Sequence, residues 1–317
     1  MFHTKIEIPV SSLKISYEDK IMTLGSCFAE NIGKRMKDVY FQTDNNPFGV
    51  LYNPISIKNS LCLLLQNKQF TINDIFENNG LWQSFSHSTR FSHSNAQICL
   101  DQINSRLTAS RNFLKDTNVL VITFGTSWVF EEVNSTEVVS NCHKLPAKNF
   151  HRRRLSVAEI VDNFIKIICK LLTEYPDIQI IFSVSPIRHL KDGAVENNLS
   201  KSTLLLSVNE LVEQFEHVHY FPAYEIQMDE LRDYRYYAAD MLHPSDVAVD
   251  YIWNRFSQTY FSSETMRIKK EVEQLNTDLL HRPLHPDSEE FRKFKLHVEQ
   301  RKIELIKSYP FLETSLF

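Results

Sequence analysis

Two short stretches of the sequence carry side chains that could act together as a nucleophile and a base. Ser26 and Cys27 directly follow Gly25, where a short apolar segment ends, and Asp240 stands three residues before His243. A hydroxyl or thiol in the first turn of a helix faces unpaired N–H groups, which stabilise a thiolate or an oxyanion. An aspartate at this spacing can hold one ring nitrogen of the histidine and leave the other to accept a proton. The two stretches are therefore suited to acyl chemistry.

Each stretch also has a purely structural interpretation. Ser26 could cap the helix while Cys27 packs as a small apolar side chain. Asp240 could do no more than stabilise a turn. From the residues alone both interpretations stay open. If the stretches are functional, the thiol of Cys27 is the favoured nucleophile because a thiol needs less help from a base than a hydroxyl, and Ser26 is the alternative.

The elements that would hold these side chains follow an alternating pattern of strands and helices. Residues 21–24 and 119–124 are apolar at nearly every position, and each run is followed by a glycine. Such runs are typical of strands that are buried on both faces of a parallel sheet. Residues 178–184 and 218–221 continue the pattern, with helical stripes of apolar residues between the runs. We predict an α/β fold, a three-layer α/β/α sandwich around a parallel sheet.

In an open parallel sheet the ligand site lies beyond the carboxyl ends of the strands. The segments expected there are residues 25–27, 125–127, 185–189 and the loop at 240–243. Residues 38–100 fit the alternation less well, and their turn-forming residues predict long loops over one sheet edge. A last sheet-packing helix is predicted to open at Pro244. We place the catalytic domain at residues 1–261 and a helical extension at residues 262–317.

Composition excludes several other classes of protein. The six glycines cannot be arranged into either common phosphate-binding loop. The five cysteines are scattered without a C-x-x-C pair, and the histidines lack the spacing of metal ligands, so we expect no metal and no organic cofactor. A net charge of −4 gives no support for nucleic-acid binding. No segment resembles a secretion signal or a membrane span, which predicts a cytoplasmic protein without a membrane partner.

The basic run at residues 151–154 has two interpretations. It could hold an anionic substrate or a phosphate, or it could be a solvated loop at the entry to a helix. The acidic net charge of the chain favours the loop.

The order of the motifs adds a family resemblance. Residues 23–33, Thr-Leu-Gly-Ser-Cys-Phe-Ala-Glu-Asn-Ile-Gly, resemble the signature of the GSCFA family, a branch of the SGNH or GDSL-type hydrolase superfamily. Further motifs resemble the family in the same order and extend the resemblance over roughly residues 20–260; they lie at residues 46–54, 124–128, 141–144, 184–189 and 240–244.

The resemblance implies a flavodoxin-like three-layer fold and ester or acyl chemistry. By position, Cys27 stands where the superfamily has its serine nucleophile, and Ser26 where it has the preceding aspartate. Gly49 stands at the second block, and Asp240 and His243 stand at the last.

The third block departs from the superfamily pattern, because Ser127 replaces the asparagine that would stabilise the oxyanion. The identity of the groups that donate hydrogen bonds to the oxyanion is therefore open. The N–H groups of Cys27 and Gly49, or the side chain of Asn46, are candidates.

We predict a hydrolase that acts on an ester bond of a small molecule, with an acylated carbohydrate as one candidate substrate. Cys27 or Ser26 attacks, His243 transfers the proton and Asp240 orients His243. The residues predicted to bind the substrate are Asn46, Gly49, Gly125, Ser127, Arg188 and His189. Two alternatives remain: an acyltransferase that uses the same residues, and a non-catalytic binding protein that keeps the fold.

Overall fold

The structure is a computed structural model in which residues 4–313 are described. The strands, numbered along the chain, are β1 (Lys20–Gly25), β2 (Gln42–Asn45), β3 (Phe76–Asn78), β4 (Leu81–Gln83), β5 (Thr117–Phe124), β6 (Trp128–Glu132), β7 (Phe150–Arg154), β8 (Gln179–Val184) and β9 (Val218–Phe221). The helices are α1 (Cys27–Asp38), α2 (Pro54–Leu65), α3 (Ala96–Leu114), α4 (Val157–Glu174), α5 (Gly193–Gln214), α6 (Ala223–Glu225), α7 (Asp246–Tyr260), α8 (Ser263–Leu279) and α9 (Glu289–Ser308).

Five strands form the central sheet in the order β2-β1-β5-β8-β9, and all neighbours are parallel. Successive residues of β5 face opposite sides of this sheet. Leu120 and Ile122 pack in one apolar cluster with α2 to α5, while Val119 and Val121 pack in a second cluster with α1, α7, α8 and α9. The predicted three-layer sandwich with a parallel sheet is therefore confirmed.

The prediction of loops over residues 38–100 is wrong. This segment contains the edge strand β2, the helix α2, a small hairpin of β3 and β4, and the first turn of α3. The residue types of the Asn53-Pro54 pair predict a turn, but the pair begins α2. The Asn53 side chain accepts a hydrogen bond from Ser56 N at 2.8 Å. Proline in the first helical turn is compatible with this cap because its missing N–H is not needed there.

Two boundaries near the cleft also differ from prediction. Helix α7 begins at Asp246 and is capped by Ser245, not opened by Pro244, because Pro244 still pairs with Tyr237 in a short bridge. Residues 151–154 lie in strand β7, paired antiparallel with β6, and are not a loop.

The described part of the C-terminal extension is helical, as predicted, and contains α8 and α9. Helices α8 and α9 contribute Ile268, Val272, Leu275, Val298 and Leu305 to the second apolar cluster. The boundary that we place at residues 261 and 262 stays a prediction. Within residues 4–313 the structure has no helix that combines the length and apolar character needed to cross a membrane.

Gly25 makes the turn from β1 into α1 possible. Its φ is +137°, and a Cβ at this position would lie 2.2 Å from the carbonyl oxygen of Thr123 on β5. Residues with a side chain rarely adopt such a φ, and the nearby Thr123 carbonyl leaves no space for a Cβ. The Ser26 N–H donates to the same Thr123 carbonyl at 3.2 Å, which fixes the start of α1 against the neighbouring strand.

We expect Gly25→Ala to destabilise the protein by at least about 2 kcal/mol more than Gly80→Ala. Both glycines have positive φ, but a Cβ at Gly80, in the hairpin turn, meets no atom within 4 Å. Urea unfolding of the two variants measures the difference. Equal losses would contradict a steric role for the Thr123 carbonyl.

Candidate active site

A cavity of about 530 Å³ opens at the carboxyl edge of the sheet. This is the edge at which the sequence predicts a ligand site. Its walls come from the segments after β1, β5 and β8, from the β6–β7 hairpin and from the loop before α7; among its residues are Ser26, Cys27, Tyr52, Asn53, Thr126, Trp128, Phe130, Asn141, Arg152, Ser185, Arg188, His189 and His243. Both predicted nucleophiles and the predicted base therefore line one cavity.

Ser26 and Cys27 have different environments at the start of α1. Ser26 is buried, and its hydroxyl oxygen accepts a hydrogen bond from Phe28 N at 3.3 Å as the helix cap. Cys27 is the first residue of the helix and is partly exposed. The thiol thus lies at the positive end of the helix dipole, where a negative charge is stabilised.

Tyr52 is a neighbour of Cys27 that the sequence analysis missed. Its hydroxyl lies 3.6 Å from Cys27 Sγ. Partial desolvation, followed by the contact with Cys27, raises the pKa of Tyr52 above its usual value. The phenol therefore keeps its proton at neutral pH and can donate it in a hydrogen bond to the sulfur.

Gly125 positions Tyr52. The Tyr52 carbonyl accepts hydrogen bonds from Gly125 N at 2.8 Å and from Thr126 N at 2.9 Å. A Cβ at Gly125 would lie 2.9 Å from the same oxygen, so a side chain there would push Tyr52 away. A glycine that directly follows a buried strand was the available signal, but it did not reveal that Tyr52 is what approaches it.

Asp240 and His243 are joined as predicted. Asp240 Oδ2 lies 2.6 Å from His243 Nδ1, and Oδ1 accepts the N–H groups of Leu242 and His243. These backbone hydrogen bonds, with the contact to the imidazole, lower the pKa of Asp240 to about 2. The carboxylate is therefore ionised at neutral pH and holds the imidazole by Nδ1. In the part of the chain that the structure describes, His243 Nε2 has no hydrogen-bond partner.

The predicted substrate-binding residues divide into two groups. Arg188 and His189 line the cavity, whereas Asn46, Gly49, Gly125 and Ser127 do not. Asn46 Oδ1 accepts from Gly25 N at 2.9 Å, and Gly49 N donates to the Asn46 carbonyl at 2.8 Å. The N–H of Ser127 donates to Ser200 Oγ at 2.8 Å.

Asn53 is a cavity residue whose amide the sequence analysis did not consider as an oxyanion donor. Its Oδ1 caps α2, while across residues 4–313 its Nδ2 donates no hydrogen bond. The Asn53 amide and the N–H of Cys27 in the first turn of α1 are thus two donors at the cavity.

Of the basic run at residues 151–154, Arg152 lines the cavity. Arg152 donates to Asp192 at 2.7 Å and lies 4.2 Å from the ring of Trp128. Arg153 pairs with Glu131 and Glu159, and Arg154 pairs with Glu196. These ion pairs explain how three consecutive arginines occupy a strand of an acidic protein.

Two further basic groups adjoin the cavity, His189 and Lys201, and neither forms an ion pair with a carboxylate within residues 4–313. Burial lowers the pKa of His189 to about 4, with smaller contributions from the charges of Lys201 and His243, so this imidazole is neutral at pH 7. Lys201 is 2% exposed, and its ammonium donates to the carbonyls of Gly125 and Ser185, each at 2.7 Å. It therefore joins the carboxyl ends of β5 and β8. Desolvation lowers its pKa to about 7.

These features define a parallel α/β protein with a thiol at the first helix and an aspartate-bound histidine at the carboxyl edge of the sheet. The sequence matches the model of the GSCFA family over residues 20–256, and the chain belongs to this family. Residues 272–316 match the C-terminal domain of GSCFA domain proteins. The resemblance found in the sequence is therefore confirmed. No curated protein matches the sequence.

Several solved structures are similar to the chain, all at low identity. A carbohydrate esterase family 2 enzyme with a carbohydrate-binding domain from Corynascus thermopiles (Myceliophthora fergusii) is 12% identical, with a TM-score of 0.37, over 79% of this chain and 67% of that one. A family 3 carbohydrate esterase from Clostridium thermocellum is 12% identical, with a TM-score of 0.33, over 80% and 97%. A family two carbohydrate esterase from the same organism, in complex with cellohexaose, is 13% identical, with a TM-score of 0.36, over 85% and 67%.

Replacing the buried Lys201 should change how stability depends on pH. Its folded-state pKa, about 7, lies below the ordinary 10.5, so the unfolded chain binds the extra proton between these values. Relative to Lys201→Met, the wild type should therefore gain stability from pH 7 to pH 10, by at most about 1.4 kcal/mol per pH unit. Urea unfolding at several pH values measures this difference. Lys166→Met, at an exposed position of α4, is the control and should follow the wild type; parallel curves for wild type and Lys201→Met would refute the expectation.

Proposed function

We propose that this protein is an ester hydrolase in which Cys27 is the nucleophile, His243 the base and Asp240 the residue that orients the base. The observation that carries the proposal is the position of the Cys27 thiol. It lies at the first turn of α1 in the same cavity as His243, whose Nδ1 is held by Asp240.

The reaction has two stages. His243 Nε2 accepts the thiol proton while Cys27 Sγ forms a bond to the ester carbonyl carbon, and the tetrahedral intermediate then expels the alkoxide, which takes that proton. The product is a thioester on Cys27. His243 then takes a proton from water, which attacks the thioester; the carboxylic acid leaves and the thiol is restored. Asp240 remains ionised throughout and stabilises the imidazolium that forms at each stage.

The environments of the two candidate nucleophiles support Cys27. The Ser26 hydroxyl is buried and already accepts the Phe28 N–H. The Cys27 sulfur faces a hydroxyl donor, Tyr52, as well as the helix N-terminus. Ser26 is then the residue that begins the helix, and Cys27 the residue that reacts.

The oxyanion would be held by groups other than the asparagine of the superfamily pattern. We assign this role to the Cys27 N–H and the Asn53 side-chain amide, both at the cavity. Preorganised donors of this kind commonly contribute about 2.7–4 kcal/mol each to lowering the barrier.

The walls of the cavity suit a polar substrate with an apolar face. Trp128, Phe130 and Tyr52 supply aromatic surface, and Asn141 and Ser140 supply polar groups between them. An acylated carbohydrate has this combination of surfaces, and we propose it as the substrate class. Transfer of the acyl group to an acceptor other than water would use the same residues.

Turnover of 4-nitrophenyl acetate tests the proposed roles. Cys27→Ala and His243→Ala should each lower kcat/KM by at least about 100-fold, because each removes a group that takes part in bond making. Ser26→Ala should lose about 1 kcal/mol of stability with its helix cap but keep most of its turnover. Cys169→Ala, at an exposed thiol, is the matched control.

The same assay separates the alternatives. Loss of turnover in Ser26→Ala with full turnover in Cys27→Ala would make Ser26 the nucleophile. Acylated product in the presence of added sugars or thiols would identify an acyltransferase. Equal rates in all variants would refute the catalytic roles of Cys27, Ser26 and His243.

Alkylation by iodoacetamide probes the thiol independently of any substrate. We expect Cys27 to react faster at pH 7 than the exposed Cys169, because the helix N-terminus and the Tyr52 hydroxyl stabilise negative charge on its sulfur. His243→Ala should slow the reaction of Cys27 and leave that of Cys169 unchanged. Peptide mapping by mass spectrometry measures both rates in one sample, and equal slow labelling of the two thiols would oppose catalysis by Cys27.

A further inference from the structure

We propose that the cavity recognises a substrate with an oxyanion group, a carboxylate or a phosphate, and that Arg188 binds this group. The ester chemistry of that substrate rests on the proposed function, whereas the anion site itself does not depend on turnover.

The charges on the cavity wall are unlike those of the whole chain. The chain has a net charge of −4. The wall carries three cations, Arg152, Arg188 and Lys191, against one carboxylate, Asp192. Asp192 is bound by both terminal nitrogens of Arg152, so this pair is already neutral. The positive charge that remains belongs to Arg188 and Lys191.

Arg188 lacks the partner that a partly buried guanidinium requires. Throughout residues 4–313 it has no carboxylate within 4.0 Å and donates no hydrogen bond, and its Nε is buried without an acceptor. The phenol of Tyr224 lies near enough for the Arg188 charge to oppose the upward shift of its pKa. Because burial still raises that pKa, Tyr224 remains protonated and supplies no countercharge.

The buried side-chain atoms without a partner in the cavity residues are all nitrogens. Four cavity residues have a buried side-chain nitrogen without a hydrogen-bond partner: Trp128, Arg152, Arg188 and His189. The unpaired nitrogens of the first three are obligate donors. Among the described residues that line the cavity, no side-chain oxygen is left in this state. Among the described residues, the cavity therefore has no buried unpaired oxygen acceptor that would oppose an anion.

A carboxylate or phosphate meets these requirements together. Arginine binds both groups through two parallel hydrogen bonds, and the charge strengthens each of them. A neutral sugar hydroxyl would supply an acceptor but no countercharge. A cationic ligand would be repelled by Arg188 and Lys191.

Thermal unfolding with added inorganic phosphate or glutarate, at constant ionic strength, tests the anion site. The wild type should show a concentration-dependent rise in Tm, which is absent in Arg188→Gln and partly restored in Arg188→Lys. Arg235→Gln is the matched control, because Arg235 pairs with Asp233 and does not line the cavity. No rise in the wild type with either anion, or an equal rise in Arg188→Gln, would overturn the proposal. A response to one anion only would identify the group that is bound.

An ester pair then connects the site to catalysis. If the oxyanion is part of the acyl group, mono-4-nitrophenyl glutarate should have a KM at least about 10-fold lower than 4-nitrophenyl butyrate. Arg188→Gln should remove this difference, and the control Arg235→Gln should keep it. If it lies on the alcohol side, phosphate should instead inhibit hydrolysis of the neutral ester competitively in the wild type only. An anion-dependent rise in Tm without hydrolysis of either ester would refute the hydrolase while the anion site stands. Hydrolysis without any response to anions would refute the anion site while the hydrolase stands.

Discussion

The turn from β1 into α1 is the constraint on which the cavity depends. Gly25 donates its N–H to the Asn46 side chain and accepts the Leu51 N–H at its carbonyl. The next N–H, from Ser26, is bound by the Thr123 carbonyl of the neighbouring strand. Hydrogen bonds from two separate segments, the loop after β2 and strand β5, therefore fix the start of α1. The position of Cys27 is thus set by the hydrogen bonds of the two residues before it, while its own side chain is partly exposed.

The surroundings of Asp240, His189 and Tyr52 determine the protonation state of each side chain. Asp240 is held ionised by the N–H groups that it accepts, His189 is held neutral by burial, and Tyr52 is held protonated by partial desolvation. Each of these groups has one protonation state near neutral pH. We propose that the proton moves through His243, and these three groups need not change their protonation states when it does.

The sequence was informative where burial on both faces forces a pattern. Strands β1, β5 and β8 and the Asp240–His243 pair follow from local composition and spacing. Strand β2 was missed because it is an edge strand of polar residues, Gln-Thr-Asp-Asn, whose Asp44 is bound by Arg106. The arginines of β7 were assigned to a loop because their carboxylate partners, such as Asp192 and Glu196, lie about forty residues away. Ion pairs between residues so far apart produce no periodic pattern in the sequence.

The cleft shows the same limit at the level of single residues. Cys27 was found because it directly follows a strand and a glycine. The sequence does not reveal that Tyr52 approaches Cys27, since this contact depends on how β5 meets the loop before α2. Asn46 and Gly49 were expected at the cavity from the resemblance, yet their polar groups bond to Gly25 and to each other. Whether a loop residue binds substrate or its own backbone is decided by tertiary distances.

The attachment of helix α8 has a consequence for the opposite end of α1. Asn276 of α8 donates to the carbonyl of Asp38, the last residue of α1, at 2.7 Å, and accepts from the Tyr40 hydroxyl at 2.6 Å. Phe28 and Met36 of α1 share one apolar cluster with Val272 and Leu275 of α8. The helix whose first residue is Cys27 is thus clamped at its far end by a segment more than two hundred residues later. Within residues 4–313, α8 and α9 do not line the cavity. Helix α8 nevertheless helps to hold α1, and with it the Cys27 thiol, in position.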